Sequence, residues 1–338
     1  MTPLPPSIIV RRHSRAGSAL IMVIWLIAML GMIVYAMLNI ISQDLKLTIA
    51  QKQAFRARQV AEMGINWAMN PAVKEYDRDI LDQTLEDGST FSAKIKGEGG
   101  RMNINALLQR GEQNRTFMTT LFALWGVSND AADMLFDRMV DWIDTDSSAS
   151  GIHGMEKDEY VNGGYGETTP YPFNRPFYNL GELEFVPGFN EVIAKVPDWR
   201  DYFTIYSTGM AVDVNEAEAK VLAAVAMAAL NRSDAADYEK MVEEAQEFVV
   251  LRWGPDQTED TEDDEKLEVA DALAALNIPQ STGDPTGGPA AYFGSNDQTT
   301  HIECVATVGD YRKRVVLIVR GRTATPQILS REEVPLFQ

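Results

Sequence analysis

Asp144 and Asp146 stand one threonine apart, and Glu156, Asp158 and Glu159 follow across a glycine-bearing stretch. Calcium takes six to eight oxygen ligands, drawn from carboxylates and from the carbonyls of irregular loops. A helix ending near Ile143 would deliver Asp144 and Asp146, and the loop after it would fold Glu156 and Asp158 back onto them, so these four are the candidate metal ligands. The spacing is not that of an EF-hand. Counting from Asp144, Ala149 stands where the turn glycine belongs and Met155 where the twelfth-position glutamate belongs. The same residues also read as a solvated acidic loop after a helix, and spacing alone leaves both readings open. Asp133, Asp137 and Asp141 recur every four residues, the pattern of a wet helix face. The acidic run 256–268, with Asp260, Asp263 and Asp264 close together, is a second candidate that could hold a cation weakly, and it reads more readily as a disordered, solubilising loop.

Other chemistry finds little footing. There is no G-x-S-x-G elbow, no H-E-x-x-H and no phosphate-cradling glycine loop, so an enzyme is not expected. Of the three histidines, His13 lies in the basic opening, and His153 and His301 read as isolated surface or loop residues. Cys304, the single cysteine, falls in an apolar alternation and reads as a small core residue. The segment GELEFVPGF resembles the turn of a helix–hairpin–helix DNA module, yet Glu182, Glu184 and Glu191 surround it where phosphate binding needs basic residues. With 49 acidic against 30 basic residues the formal net charge is −19, which argues against nucleic acid as partner and leaves room for cations or a basic protein. The 338-residue length suggests about two compact units with a sizeable core.

The elements that would position these groups begin with residues 18–41, an uncharged apolar run after Arg11, Arg12 and Arg15. It is long enough to cross a hydrocarbon core of about 30 Å as a helix. The arginines place residues 1–17 on the cytoplasmic side, and the chain beyond about Ser42 across the membrane. A cleaved secretory signal would have a shorter apolar core, and a plain signal anchor fits the length. A leader of the prepilin type, cut between Gly17 and Ser18 so that the apolar segment stays in the mature chain, fits best. Helical spacing continues past the membrane through Leu45, Ile49, Phe55, Val60, Met63 and Trp67, and no proline interrupts Ser18 to Asn70 before Pro71 ends the stretch.

Those residues resemble the type IV pilin-like proteins and, more closely, the minor pseudopilin K family of type II secretion. The resemblance covers almost the whole chain: the basic leader, the apolar helix, FRARQVAEMGINWAM, GEGGRMNINALL, MVDWIDTDSS, PFYNLGELEFVPGF, FTIYSTGMAVDVNEAEAKVLAA and the closing strands near YRKRVVLIVRGR. It implies cleavage and methylation by a prepilin peptidase and residence in the inner membrane. It implies assembly with the minor pseudopilins I and J above the major pseudopilin, on the inner-membrane secretion platform. Most pilin-like subunits carry a glutamate five residues into the mature chain, where Met22 stands here. A carboxylate in the bilayer costs about 2.5–3.5 kcal/mol and is kept only with a partner. Its absence marks a subunit with nothing above it, at the tip of the pseudopilus. The resemblance also favours calcium as the ligand of the acidic loop. The rival reading is a signal-anchored periplasmic binding protein outside any filament.

The expected fold is α+β: a long N-terminal helix packed on a small antiparallel sheet, with a large, mainly α-helical domain inserted, the insertion being what the resemblance implies. The expected divisions are 1–17 as leader and 18–41 as the transmembrane half-helix. They continue with 42–105 as periplasmic helix and first strands, 106–200 as the inserted helical domain with the metal loop, and 201–338 as the return to the sheet with further helices and a final hairpin. Strands are expected at 90–96 and 101–104, with 202–206 and 211–214 rejoining the sheet; 301–307 and 312–319 form a hairpin turning at Gly309-Asp310. Asn105 and Asn215 occupy equivalent places in an internal echo, RMNINAL against MAVDVNEA, and both suit helix N-caps.

Overall fold

A computed structural model describes residues 16–280, 288–323 and 325–336. The leader reading of residues 1–15 therefore lies outside the described residues. Helix α1 (Ala16–Met69) is followed by a single turn, α2 (Arg78–Leu81), and by strands β1 (Asp82–Thr84) and β2 (Thr90–Gly97). A helical region then runs through β3 (Met102–Asn103), α3 (Ile104–Leu108), α4 (Arg115–Leu124), α5 (Asn129–Ile143), α6 (Lys157–Tyr160) and α7 (Phe189–Lys195). It continues with β4 (Phe203–Thr204), β5 (Val212–Asp213), α8 (Ala219–Ala229), α9 (Ala235–Arg252) and α10 (Val269–Ala275). The chain closes with β6 (Phe293–Gly294), β7 (Thr299–Val308), β8 (Tyr311–Arg320) and β9 (Gln327–Leu336).

The main sheet is antiparallel in the order β1-β2-β7-β8-β9, and α1 packs across β2, β7 and β8. The first half of α1 presents its apolar side chains outward, with Met22 75% exposed. The second half buries Ala57, Val60, Ala61, Gly64, Ile65 and Ala68, a stripe at helical spacing. This differs from the bulky residues expected to face the core, since Phe55 and Trp67 are exposed. Close approach explains it. A Cβ at Gly64 would stand 2.5 Å from the Cys304 sulfur and 2.8 Å from the Phe91 ring, so at this point of closest approach glycine is what fits between helix and sheet. Cys304 is fully buried there, and burial pushes its thiol up to about 12, which suits an inert core residue.

The strands at 203–204 and 212–213 do not return to the main sheet. They form two separate parallel pairs, β3 with β4 and β5 with β6. The expected caps at Asn105 and Asn215 also differ. Asn103 caps α3, accepting from the Ala106 N–H at 3.1 Å. Asn105 instead clamps Phe177 with both ends of its amide: the side-chain oxygen accepts the Phe177 N–H at 2.8 Å and the nitrogen donates to the Phe177 carbonyl at 2.9 Å. Asn215 clamps Leu267 in the same way, at 2.8 and 3.0 Å. The sequence echo is thus a repeated device: a short strand, then an amide that pins a distant chain segment. Asn105→Ala would leave both main-chain groups of buried Phe177 unpaired, which is expected to lower stability by about 2–3 kcal/mol. Denaturant midpoints of the two proteins measure it, and a change under about 0.5 kcal/mol would contradict the clamp's importance.

Two cores result. One lies under α1, against β2, β7 and β8, and the other fills the helical region. Between them, Glu98 is 1% exposed, with its carboxylate 3.2 Å from the His301 imidazole and accepting from Arg101 and Thr204. Burial would raise this carboxyl, but His301, Arg101 and Thr204 outweigh it and hold the group below its ordinary range. His301 is therefore a strand residue joined to a buried carboxylate, not an isolated surface group.

Candidate metal centre

Helix α5 begins at Ser128, whose hydroxyl accepts from the Ala131 N–H. Its apolar face buries Leu135, Phe136, Met139 and Trp142. Asp137 and Asp141, one turn apart, are also buried, at 1% and 0% exposure, so the expected wet face is instead a structural one. Beyond the helix the chain folds back. The Ser150 N–H donates to Asp141 Oδ1 at 2.8 Å, and the His153 N–H donates to Asp137 Oδ2 at 3.1 Å. The rest of the long loop is ordered by aromatic packing: Trp142 stacks on Tyr171 and Phe177, with ring centroids 5.2 and 5.9 Å away.

This folding brings Asp144 and Glu156 together with Asp141, one carboxylate oxygen from each lying within 4.8 Å of the others. Asp141 Oδ2, Asp144 Oδ1 and Glu156 Oε1 are buried and have no hydrogen-bond partner. Asp146 and Asp158 stay outside the trio. Asp146 is exposed and accepts from the Ser148 N–H at 2.8 Å, while Asp158 is exposed on the first turn of α6. Glu159 turns its carboxylate back to the Glu156 N–H at 3.1 Å. Asp141 was hidden in the sequence by its four-residue spacing with Asp133 and Asp137. The signal that could have found it is that its turn of helix also carries Trp142 and Ile143 into the core.

Burial, then the charges of Asp141 and Asp146, push the Asp144 carboxyl up to about 6. Burial, then Asp141 and Asp144, push Glu156 up to about 7. Burial likewise raises Asp141. Raised carboxyls favour the folded chain below the ordinary values of 3.8 and 4.5, and that advantage is lost as pH rises through about 6 and 7. Glu98 and Glu333, both held low, are ionised in the folded chain throughout this window and contribute slope only at its acid edge, where the unfolded carboxyls still bind protons. In metal-free buffer the thermal midpoint is therefore expected to fall between pH 5 and pH 8. A midpoint that stays level or rises would contradict the clustering. Three partnerless buried oxygens, with no nitrogen or sulfur among them, fit a hard divalent cation of the calcium type.

The P-G turn of the DNA-like segment has a structural partner. Gly188 adopts a φ of +101° before α7, and Arg138 of α5 donates to the Pro187 carbonyl at 2.9 Å.

A long helix, exposed and apolar at first and then buried on an antiparallel sheet through a small-residue stripe, is a pilin-like arrangement. Comparison with known proteins narrows this class. Residues 100–197 match the family model of type II secretion system protein K. Type II secretion system protein K of Pseudomonas aeruginosa is 29% identical over 110 residues, which cover 30% of this chain and 31% of that protein's length. The fold is similar to a chain in the crystal structure of the GspK–GspI–GspJ complex from the type 2 secretion system of enterotoxigenic Escherichia coli, with a TM-score of 0.55 and 13% identity. That match covers 86% of this chain and 98% of that chain. The likeness to protein K is thus one of sequence over residues 100–197 and of fold over most of the chain. One described helix is long and apolar enough to cross a membrane, which fits a single-pass, membrane-anchored protein.

Proposed function

We propose that this chain is the tip subunit of a type II secretion pseudopilus, a structural component rather than a catalyst. Prepilin peptidase cuts it after Gly17, and Ser18 becomes the methylated first residue. Residues 18–41 hold it in the inner membrane, with the N-terminus cytoplasmic and the bulk periplasmic. It joins the minor pseudopilins I and J, initiates assembly above the major pseudopilin on the inner-membrane platform, and so serves the export of folded proteins across the outer membrane.

The observation that carries this reading is the division of α1. Its apolar first half has no covering surface among the described residues, while the second half is seated on the sheet. Neighbouring helices of the same kind would cover the first half by close packing of small and apolar side chains. Met22 stands in that half where a stacking subunit would need a carboxylate, which suits a position with nothing above. Calcium held by Asp141, Asp144 and Glu156 would offset two of the three charges and fix the loop to α5.

The test is the mass and amino-terminal sequence of protein extracted from membranes of cells with active prepilin peptidase. A chain starting at methylated Ser18 supports the reading. An intact start near Met1 returns the case to a signal-anchored periplasmic binding protein.

A further inference from the structure

We infer that Asp137 pins the metal loop to α5 and so acts as a positioning residue for the Asp141–Asp144–Glu156 site. The inference rests on the calcium reading above. Asp137 lies one helical turn before Asp141 and is 1% exposed, yet none of its oxygens belongs to the trio. Its Oδ2 accepts the His153 N–H at 3.1 Å, and its Oδ1 accepts from Arg115. Arg115 is itself fixed by a two-pronged contact to Glu112, at 2.7 Å on each prong, and lies over the Phe136 ring. The carboxylate is thus gripped on one oxygen and presents the other to the loop.

The loop is shaped to meet it. Gly151 has a φ of +58°, and a Cβ there would stand 2.4 Å from Asp137 Oδ2; at Gly154 a Cβ would stand 2.3 Å from Asp141 Oδ2. The backbone passes directly over both carboxylates at residues whose lack of a side chain allows it. The Gly154 N–H donates to the Ser150 carbonyl at 3.0 Å and closes the turn. With Ser150 held by Asp141 and His153 held by Asp137, Glu156 comes three residues later with little freedom, and its Oε1 arrives beside Asp141 and Asp144. An ion pair serving only to join α4 to α5 would need neither the His153 contact nor a glycine at 151.

The test measures calcium affinity by titration calorimetry on the full chain in detergent, together with amide exchange of the loop in EDTA. Asp137→Asn is expected to bind calcium about 10–100-fold more weakly, the usual effect of losing a group that orients a ligand, and to exchange faster at His153 without metal. Gly151→Ala leaves every charge in place and is expected to weaken binding in the same direction, so the test survives if Asp137→Asn folds poorly. Asp133→Asn disturbs the same arginine, whose guanidinium lies 3.4 Å away, without touching the loop, and is expected to keep wild-type affinity. Wild-type affinity in both Asp137→Asn and Gly151→Ala, or an equal loss in Asp133→Asn, would overturn the positioning role. A wild-type chain that binds no calcium would sink the metal reading itself, and the positioning role with it.

Discussion

Asp141→Asn is expected to stabilise the chain in EDTA and to remove most of its stabilisation by calcium. Without metal, Asp141 places a buried charge within 4.8 Å of two others, and its Oδ2 has no partner. Asparagine keeps an oxygen for the Ser150 N–H and turns an amide toward Asp144 and Glu156, replacing repulsion by donation. The gain is about 1 kcal/mol. With calcium the sign reverses, because one of three anionic ligands is gone. A ligand present at 100 times its dissociation constant stabilises the folded state by about 2.7 kcal/mol, and a tenfold or greater loss of affinity removes half of that or more. Denaturant midpoints of both proteins in EDTA and in calcium measure the crossing. An asparagine variant weaker in both buffers would mean that Asp141 serves the α5 core alone.

Gly64→Leu should be among the most damaging single substitutions in the described residues. Even one added carbon would overlap the Cys304 sulfur and the Phe91 ring, and both are enclosed in the sheet core. Inserting atoms into a packed core costs typically 1–3 kcal/mol, and here the helix must lift from β2 and β7, so about 3 kcal/mol or more is expected. Gly64→Ala would cost less. Pairing Gly64→Ala with Cys304→Ala, which removes the nearest obstructing atom, is expected to recover part of the loss, a coupling that a double-mutant cycle reads directly. Additive effects would place the clash elsewhere.

The long helix, the β7–β8 hairpin and the end of α5 near Ile143 were legible because hydrophobic period and length speak together over ten or more residues. The small-residue stripe of α1 was not. Pattern reading weights bulky side chains, and Ala57, Ala61, Gly64 and Ala68 act through what they leave out. The short parallel pairs β3–β4 and β5–β6 have two residues on each strand, too few for any alternation. At the metal centre, Asp144 and Glu156 could be named from the chemistry of the loop, whereas Asp146 and Asp158 shared that chemistry and lie apart. Asp141 and Asp137 needed tertiary knowledge, because a four-residue acidic period looks the same whether it faces water or carries a loop. Asn105 and Asn215 show the same limit: the echo was visible, but its partners Phe177 and Leu267 lie far along the chain.

The register of β2 and β7 bears on how the chain comes off the ribosome. Gly97 ends β2 opposite Thr300 near the start of β7, so the whole helical region leaves and re-enters the sheet at neighbouring positions. Roughly 200 residues separate these partners, which at 5–20 residues per second is about 10–40 s of synthesis. During that interval the long helix and β2 lack β7 and β8, and their apolar faces are open to misassociation. The helical region has its own core and can fold while the ends wait. Newly made chains should therefore carry a protected helical region and an unprotected sheet until translation ends, and the sheet should be where a chaperone finds them.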